Sequence, residues 1–517
     1  MEKKTTILWV DDEIDLLKPY ILFLEEKGYQ LSTATNGEDA VGMVNGNEYD
    51  LIFLDENMPG ISGIETLNRI KALTPFTPVV MITKSEEENI MEDAIGSKIA
   101  DYLIKPVNPN QILLTIKKNT ETKKLISQKT TSSYQSQFGQ ISMAINTASD
   151  FDDWTEIYRK IVYWEIELEN SSDSNMDEIL LMQKTDANKE FSRFISRHYH
   201  GWFDPGQESK PLMSPSIIPN SVFPLLEKGE KVFFILIDNL RYDQWKTLEA
   251  AITEYSHLDR EELFCSILPT ATQYSRNAMF AGLMPFDINK LYPELWVFDE
   301  EETGKNLHEK ELFERQLSRL GKDIRFRYEK VTNQRTGKKL VDSFPDLMNY
   351  DLNIIIYNFV DMLSHARTDM EMIRELADNE AAYRSLTASW FHHSHLLELL
   401  RQLAGKNVKI ILTTDHGSIR VQNPVRVIGD KRTSANLRYK LGRNLNYNPG
   451  EVFDSRNPEE IRLPKSNISS SYIFAYENDF LIYPNNYNQF VNYYRNTFQH
   501  GGISMEEMLI PLIQLST

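Results

Sequence analysis

Leu51-Ile52-Phe53-Leu54-Asp55-Glu56-Asn57-Met58-Pro59-Gly60 runs four apolar residues into a carboxylate and then into a turn. An unbroken apolar run indicates a strand covered on both faces, the habit of parallel sheets. The acid that closes it stands at the strand's carboxyl end, where open α/β sheets bind ligands. The pattern recurs on either side. The run at 7–10 ends in Asp11-Asp12, that at 79–82 in Thr83, and that at 102–104 in Lys105-Pro106. Amphipathic stretches separate these runs, so residues 1–121 read as a βα-repeated parallel sheet.

The next segment has a different period. Phe151, Trp154, Ile157, Tyr158, Ile161 and Val162 recur at spacings of three and four, one face of a helix. Ile179, Met182, Phe191, Phe194 and Ile195 continue the helical theme. The polar run 127–136 is either a helix extension or a joint, and 171–174 reads as a turn between helices. Residues 122–214 are therefore expected to form an α-helical connector. From 215 to 517 the α/β rhythm returns: 232–237 ends in Asp238, 353–360 in Asp361, and 408–414 in Asp415-His416.

Composition agrees with three units. A chain of 517 residues is too long for one core. With 41% hydrophobic and 25% charged residues it is neither disordered nor fibrous. A net charge of −19 argues against general nucleic-acid binding. The single cysteine, Cys265, excludes an internal disulfide and points to a reducing compartment. No apolar run approaches the roughly 20 residues of a membrane span, and the N-terminus lacks a signal-peptide core. A cytoplasmic protein is expected.

Asp11, Asp12 and Asp55 converge if the strands they end are neighbours. Clustered carboxylates repel, and a hard cation such as Mg²⁺ relieves this with oxygen ligands. Lys105 offers a fixed charge and Thr83 a hydroxyl to a phosphoryl group at the same edge; Pro106 is expected to hold the loop, with a cis bond. The Asp-Asp pair, the run at 54–60, Thr83, and Tyr102 three before Lys105-Pro106 resemble two-component receiver domains of flavodoxin-like fold. The resemblance implies that Asp55 accepts a phosphoryl group from a sensor histidine kinase. It implies that Asp12, Asp55 and the Asn57 carbonyl hold Mg²⁺, with Asp11 behind them, and that Thr83 and Tyr102 are the switch pair. Lys84 departs from the small residue common there. Receivers of this kind pair through their last elements, here about residues 85–117, so a homodimer on phosphorylation is implied.

The C-terminal segment holds a second set. Most of the 10 histidines lack acidic or strand-end context. Asp361 and His365 are four apart, one face if the strand end turns into a helix. With Asp238, Asp415, His416 and His500 they form six carboxylate and imidazole ligands, suited to Zn²⁺ and enough for two ions. Two metals can clamp attacking and leaving oxygens in phosphoryl displacement. Between Asp238 and Asp361 lie Thr270 and Thr272, hydroxyls that a metal could activate.

The order Asp, Thr, Asp-x-x-x-His, Asp-His, His resembles the alkaline phosphatase superfamily, most closely its PglZ branch. Pro269-Thr270-Ala271-Thr272 with Ala281-Gly282-Leu283-Met284-Pro285 is similar to nucleotide pyrophosphatase/phosphodiesterases. That frame selects Thr272 as nucleophile, with Thr270 the runner-up. The resemblance implies one zinc on Asp361, His365 and His500, and a second on Asp238, Asp415 and His416 with Thr272. Ser275 stands where those enzymes carry a phosphate-binding Asn, and Arg276 is expected to contact substrate phosphate.

Lys431, Arg432, Arg438, Lys440 and Arg443 fall in 13 residues without an acid. They are either a solvated loop or a lid that binds phosphates, Arg438 and Lys440 foremost. Receiver, connector and PglZ-type domain in one chain resemble the response regulators of type IX secretion and gliding. That resemblance implies a zinc-dependent phosphodiesterase acting on nucleotides or short cyclic or linear oligonucleotides, with sigma-factor and secretion-motor components as partners. The alternative is a signalling adaptor with vestigial hydrolysis. A transcription factor ranks last, because no helix-turn-helix with a basic recognition helix stands out.

Overall fold

The computed structural model describes residues 5–74, 77–84, 99–169, 174–204, 206, 210–298, 306–369, 379–430 and 433–517. Two compact units emerge, one ending at Tyr134 and one comprising 135–169 with 174–517. No helix among the described residues is long and apolar enough to cross a membrane.

In the first unit β1 (Thr6–Val10), β2 (Gln30–Ala34), β3 (Leu51–Asp55), β4 (Val79–Thr83) and β5 (Asp101–Ile104) form a parallel sheet of order β2-β1-β3-β4-β5. The unbroken apolar runs split by alternation. Leu8, Val10, Ile52, Leu54, Val79 and Met81 pack on one face, and Ile7, Trp9, Leu51, Phe53, Val80 and Ile82 on the other. Helices α1 (Lys18–Glu26), α2 (Gly37–Gly46) and α3 (Gly63–Leu73) connect the strands. Asn36 and Ser62 cap the last two by accepting from Asp39 N and Glu65 N. The sheet is that of a flavodoxin-like receiver. The pairing segment expected at 85–117 lies outside the described residues over 85–98.

Helix α4 (Pro109–Thr147) contains the polar run 127–136, so that run is helical. In the second unit α5 (Phe151–Glu169) buries Phe151, Trp154, Ile157, Tyr158, Ile161 and Val162, the face its spacing defines. On α6 (Ser174–His198) Leu180, Phe191, Phe194 and Ile195 are buried, whereas Ile179 and Met182 are 36% and 69% exposed. The polar neighbours Gln183, Lys184 and Asn188 are buried in their place, because they find partners there. Residues 171–173 of the expected turn lie outside the described residues.

The same unit carries a six-stranded sheet. Its strands are β6 (Val232–Ile237), β7 (His257–Cys265), β8 (Phe326–Val331), β9 (Leu352–Tyr357), β10 (Lys409–Thr413) and β14 (Leu509–Ser516), in the order β7-β14-β10-β6-β9-β8. β10, β6, β9 and β8 are parallel, and β14 is antiparallel to both neighbours. A separate three-stranded sheet joins β11 (Tyr439–Arg443), β12 (Val452–Ser455) and β13 (Ser470–Ala475). The apolar run 353–360 is not all strand. It breaks after Tyr357, and Phe359 and Val360 open α8 (Phe359–Asp369). The run from Trp390 to Leu403 is likewise two helices, α9 (Glu380–His392) and α10 (His395–Leu403), the second capped by Ser394.

Candidate functional site

The first unit brings Asp11, Asp12 and Asp55 together, ligand atoms within 4.8 Å of one another, at the carboxyl ends of β1 and β3. Asp11 and Asp55 are buried and Asp12 is exposed. Lys105 reaches across from the end of β5, with Nζ 2.8 Å from Asp11 Oδ2 and 3.1 Å from Asp55 Oδ1. Burial raises the Asp55 carboxyl above its usual range against the pull of Lys105. Three acids and one ammonium leave net negative charge, a fit for a divalent cation and a phosphoryl group. Thr83 is fully buried at the end of β4, and Tyr102 is partly buried against the core face that includes Met81. Asn57 is exposed beside the acids, and Lys105-Pro106 is cis. Lys84 turns aside to an exposed ion pair with Glu13 at 3.0 Å.

The second unit assembles all six expected ligands in two triads. Asp238, Asp415 and His416 form one and Asp361, His365 and His500 the other, each with ligand atoms within 4.8 Å. The reason is topological. β10, β6 and β9 are consecutive in the sheet, so the residues that follow their carboxyl ends crowd one edge. Asp361 and His365 sit four apart on α8, 3.5 Å from Oδ2 to Nε2.

Backbone carbonyls orient buried His416 and partly exposed His500. His416 Nδ1 lies 3.0 Å from Gly417 O and His500 Nδ1 lies 3.1 Å from Thr270 O. A carbonyl accepts only from N–H, so Nδ1 carries the proton and Nε2 presents its lone pair. The rings stack with centroids 4.2 Å apart. Burial, then the neighbouring His416 and His365, hold His500 neutral well below the usual imidazole range. Burial also raises the Asp238 and Asp361 carboxyls, with Asp415 and Asp238 respectively adding to it. Buried carboxylates facing oriented imidazole lone pairs fit divalent metal ions.

The two threonines differ in their partners. Thr272 is partly exposed as the first residue of α7 (Thr272–Ala281), its Oγ1 3.1 Å from His416 Nε2 and 3.5 Å from Asp238 Oδ1. Thr270 is fully buried; its hydroxyl donates to Gly502 O at 3.0 Å and accepts from Gly501 N at 2.9 Å. That pair of bonds ties the His500 turn to the Thr270 segment.

Three expected substrate contacts are placed elsewhere. Arg276 is 0% exposed and does not face substrate. Its Nε and Nη2 lie 3.0 Å from Asp415 Oδ2, Nη2 also meets Asp238, and Nη1 lies 3.3 Å from Glu309 Oε1. It is the internal counter-charge of the first triad. Arg438 is 0% exposed and pairs with buried Glu507 at 2.6 Å, with Tyr476 O at 3.1 Å on another nitrogen. Lys440 is buried on β11 over the Tyr483 ring at 4.6 Å and donates to Ser434 O at 3.2 Å. The lid is therefore corrected at both residues: Tyr439 to Gly442 on β11 are buried on both faces and Arg438 packs just before the strand, so both side chains lie inside the fold. Lys431 and Arg432 lie outside the described residues. Ser275 is also buried, 3.0 Å from Ser266 Oγ.

Sequence reasoning missed Asn239 and Glu309. Asn239 follows Asp238 with φ of 64° and reaches Ser364 Oγ at 3.3 Å and Asp361 Oδ1 at 3.5 Å, bridging the triads. Asn tolerates this left-handed backbone, and Asn after a strand-end Asp is the available signal. Glu309, fully buried on Arg276, carries no such signal.

Residues 217–515, more than half the chain, match the model of the BREX system PglZ alkaline phosphatase-like domain. Residues 124–203 match the PorX response regulator linker domain, and 7–117 the response regulator receiver domain. The alginate biosynthesis transcriptional regulatory protein AlgB of Pseudomonas aeruginosa is 32% identical over 124 residues, 24% of this chain and 28% of that protein. The transcriptional regulatory protein ResD of Bacillus subtilis is 35% identical over 114 residues, 22% of this chain and 47% of its own. The chain thus spans less than half the length of these relatives. A CheY-like receiver from Methanospirillum hungatei covers 23% of this chain and 96% of its own at 25% identity, with a TM-score of 0.23. Joined behind a receiver and a PorX-type linker, the C-terminal domain and its two triads make this chain a member of the PglZ alkaline phosphatase-like family.

Proposed function

We propose that the chain is a response regulator phosphorylated on Asp55 whose C-terminal domain is a zinc-dependent phosphodiesterase. Its substrates are nucleotides or short cyclic or linear oligonucleotides, and Thr272 is the nucleophile. The observation that carries this is the position of Thr272 Oγ1, 3.1 Å from His416 Nε2 and 3.5 Å from Asp238 Oδ1, partly open to solvent beside six ligands. Two zinc ions, when bound by the triads, would neutralise phosphate oxygens and lower the proton affinity of the hydroxyl. Thr272 Oγ1 loses its proton to solvent and bonds to phosphorus as the bond to the leaving ester oxygen breaks, and that oxygen departs with a proton from solvent; water then hydrolyses the threonyl ester, releasing the phosphate monoester and restoring the hydroxyl. Thr272 opens a ten-residue helix, whose first-turn amides favour the anionic substrate. Thr270, with its hydroxyl engaged on both sides, is a positioning residue for the His500 turn.

In this reading a sensor histidine kinase phosphorylates Asp55, Mg²⁺ sits on Asp12, Asp55 and the Asn57 carbonyl, and phosphorylated receivers pair as a homodimer. The protein acts in the cytoplasm, with sigma-factor and secretion-motor components of type IX secretion and gliding as partners. Purified protein with its metal quantified is screened on phosphodiesters, with and without an acyl-phosphate mimic. Thr272→Ala should keep its metal and lose at least about a thousandfold in turnover; turnover retained refutes Thr272 as nucleophile. The mimic should change the oligomeric state of wild type and not of Asp55→Ala, and identical responses would refute control through Asp55.

One observation favours a second reading, an adaptor with vestigial hydrolysis. Arg276 already bridges Asp238 and Asp415, so that triad holds together without metal. An adaptor would tolerate Thr272→Ala in cells; a phosphodiesterase would not.

A further inference from the structure

One short segment after His500 holds a histidine loop of each triad. Ser504 caps the helical turn Met505–Met508 by accepting from Glu507 N, and all four residues of the turn are buried. Glu507 grips the two loops with different groups. Its carbonyl accepts from Gly417 N at 3.3 Å, and the Gly417 carbonyl is the one that orients His416. Its carboxylate accepts from Gly502 N at 2.9 Å, and Gly502 closes the His500 turn by accepting from the Thr270 hydroxyl. The approach at Gly417 is tight: a Cβ there would stand 2.0 Å from Glu506 O. Met508 O accepts from Ser266 N at 2.9 Å, and Ser266 Oγ donates to Asp415 O at 2.7 Å. A displacement of this segment therefore moves one imidazole of each triad together.

The linker helix α6 reaches the segment directly, inside the same compact unit. Asn188, 4% exposed, accepts from Met505 N at 2.8 Å and donates to Glu506 Oε2 at 3.0 Å. These two bonds fix the amide's orientation, because a flipped amide would set N–H against N–H and oxygen against carboxylate. One turn earlier on the same face, Lys184 Nζ bridges Glu165 Oε1 of α5 at 2.8 Å and Glu506 Oε1 at 3.0 Å. Charge-assisted bonds of this kind are short and directional in a medium of low dielectric. Leu180, Phe191, Phe194 and Ile195 already attach α6 by apolar packing. The buried polar pair adds register, which apolar contacts leave free to slide.

We propose that Asn188 and Lys184 of the linker helix are positioning residues for the metal sites. They hold the 505–508 segment so that His416 and His500 present their lone pairs together. The inference rests on the reading that the triads hold zinc, and not on which phosphodiester is hydrolysed.

The test strips the full-length protein with chelator and titrates it with cobalt(II), whose visible absorption reports ligand geometry. Zinc affinity is then read by competition with a chromophoric chelator. Asn188→Leu, close in volume and without polar groups, should weaken both metal equivalents by about tenfold, the low end for groups that orient ligands, and alter the cobalt band. Lys184→Met should act in the same direction. Asn188→Ser, which admits water at Met505 N, decides the matter by the same two readouts if the others fail to fold. Arg159→Met is the control. It breaks a different linker ion pair, with Glu261 on β7 at 3.0 Å, and should lower the melting temperature while cobalt band and affinity stay at wild-type values. A lowered melting temperature with wild-type metal binding in the Asn188 variants overturns the proposal and leaves only an attachment role. So does a loss confined to one metal equivalent, or one equally large in Arg159→Met. Phosphodiester turnover is measured on the same samples. Two metals bound by wild type without turnover sinks the hydrolytic reading and leaves the positioning role standing. Turnover in wild type with unaltered metal binding in the variants does the reverse, and wild type that takes up no cobalt overturns both.

Discussion

Replacing Arg276 by methionine tests whether one guanidinium holds the first metal triad together. Arg276 is 0% exposed, and its Nη2 and Nε both stand 3.0 Å from Asp415 Oδ2 while Nη2 also meets Asp238. At an effective dielectric of about 20, one charge pair at 3.0 Å is worth roughly 5–6 kcal/mol before desolvation is counted. Desolvating the guanidinium cancels much of that. What remains decisive is what the substitution leaves behind, two buried carboxylates facing each other, and deleting one partner of such a network costs about 3–5 kcal/mol. Arg276→Met should therefore lower the stability of the C-terminal unit by about 3–5 kcal/mol in chelator. In the proposed reading a divalent cation binds the same carboxylates, and only the folded state holds them together. It should favour the variant more than wild type and narrow the gap by at least about 1 kcal/mol. Urea titration followed by tryptophan fluorescence, in chelator and in zinc, reads both quantities. A gap below about 1 kcal/mol in chelator, or one that metal leaves unchanged, refutes the counter-charge role.

Two further outcomes follow from the corrected basic segment. Arg438→Met leaves Glu507, itself 0% exposed, without its 2.6 Å partner and should cost about 3–5 kcal/mol of stability. The KM of the folded fraction for oligonucleotides should stay at the wild-type value; a tenfold rise with stability intact would return Arg438 to the substrate. Burial pushes the Lys440 ammonium down to about 7. Between that value and the unfolded lysine's ordinary one, the unfolded chain binds a proton that the folded chain does not. Stability should therefore rise with pH across this window and be lowest below it, with a slope of at most about 1.4 kcal/mol per pH unit. Lys440→Met should flatten that slope and be more stable than wild type at pH 7; unchanged pH profiles in denaturant titrations would show that the ammonium is solvated.

The ligands and the false lid show what was legible and why. Asp55, Asp238 and Asp415 could be placed in advance because each directly follows an apolar run, and parallel strands deliver their carboxyl ends to one edge. Asp361 and His365 were readable from a spacing of four alone, although the strand before them is shorter than its apolar run. Arg276, Arg438 and Lys440 were misplaced for the opposite reason. A basic residue looks like a free charge until its partner is known. Arg276 finds Asp415 139 positions away, and Arg438 finds Glu507 69 positions away. Nothing local announces such pairs. The buried Lys184 on α6, 3.0 Å from Glu506, is of the same kind. Its neighbour Asn188 donates to Glu506 and accepts from Met505 N, tying the linker helix to the segment after His500.

By itself the sequence determined the alternation of strands and helices and singled out the six residues that the structure gathers into two triads. Those depend on periodicity and on what immediately follows an apolar run, both local properties of the chain. Only the tertiary structure decided which threonine hydroxyl is open and which is engaged. It also decided which cations are internal counter-charges. Each of those depends on groups far apart in the chain meeting in a medium of low dielectric. There an unpaired charge or hydroxyl is costly enough to dictate its neighbours.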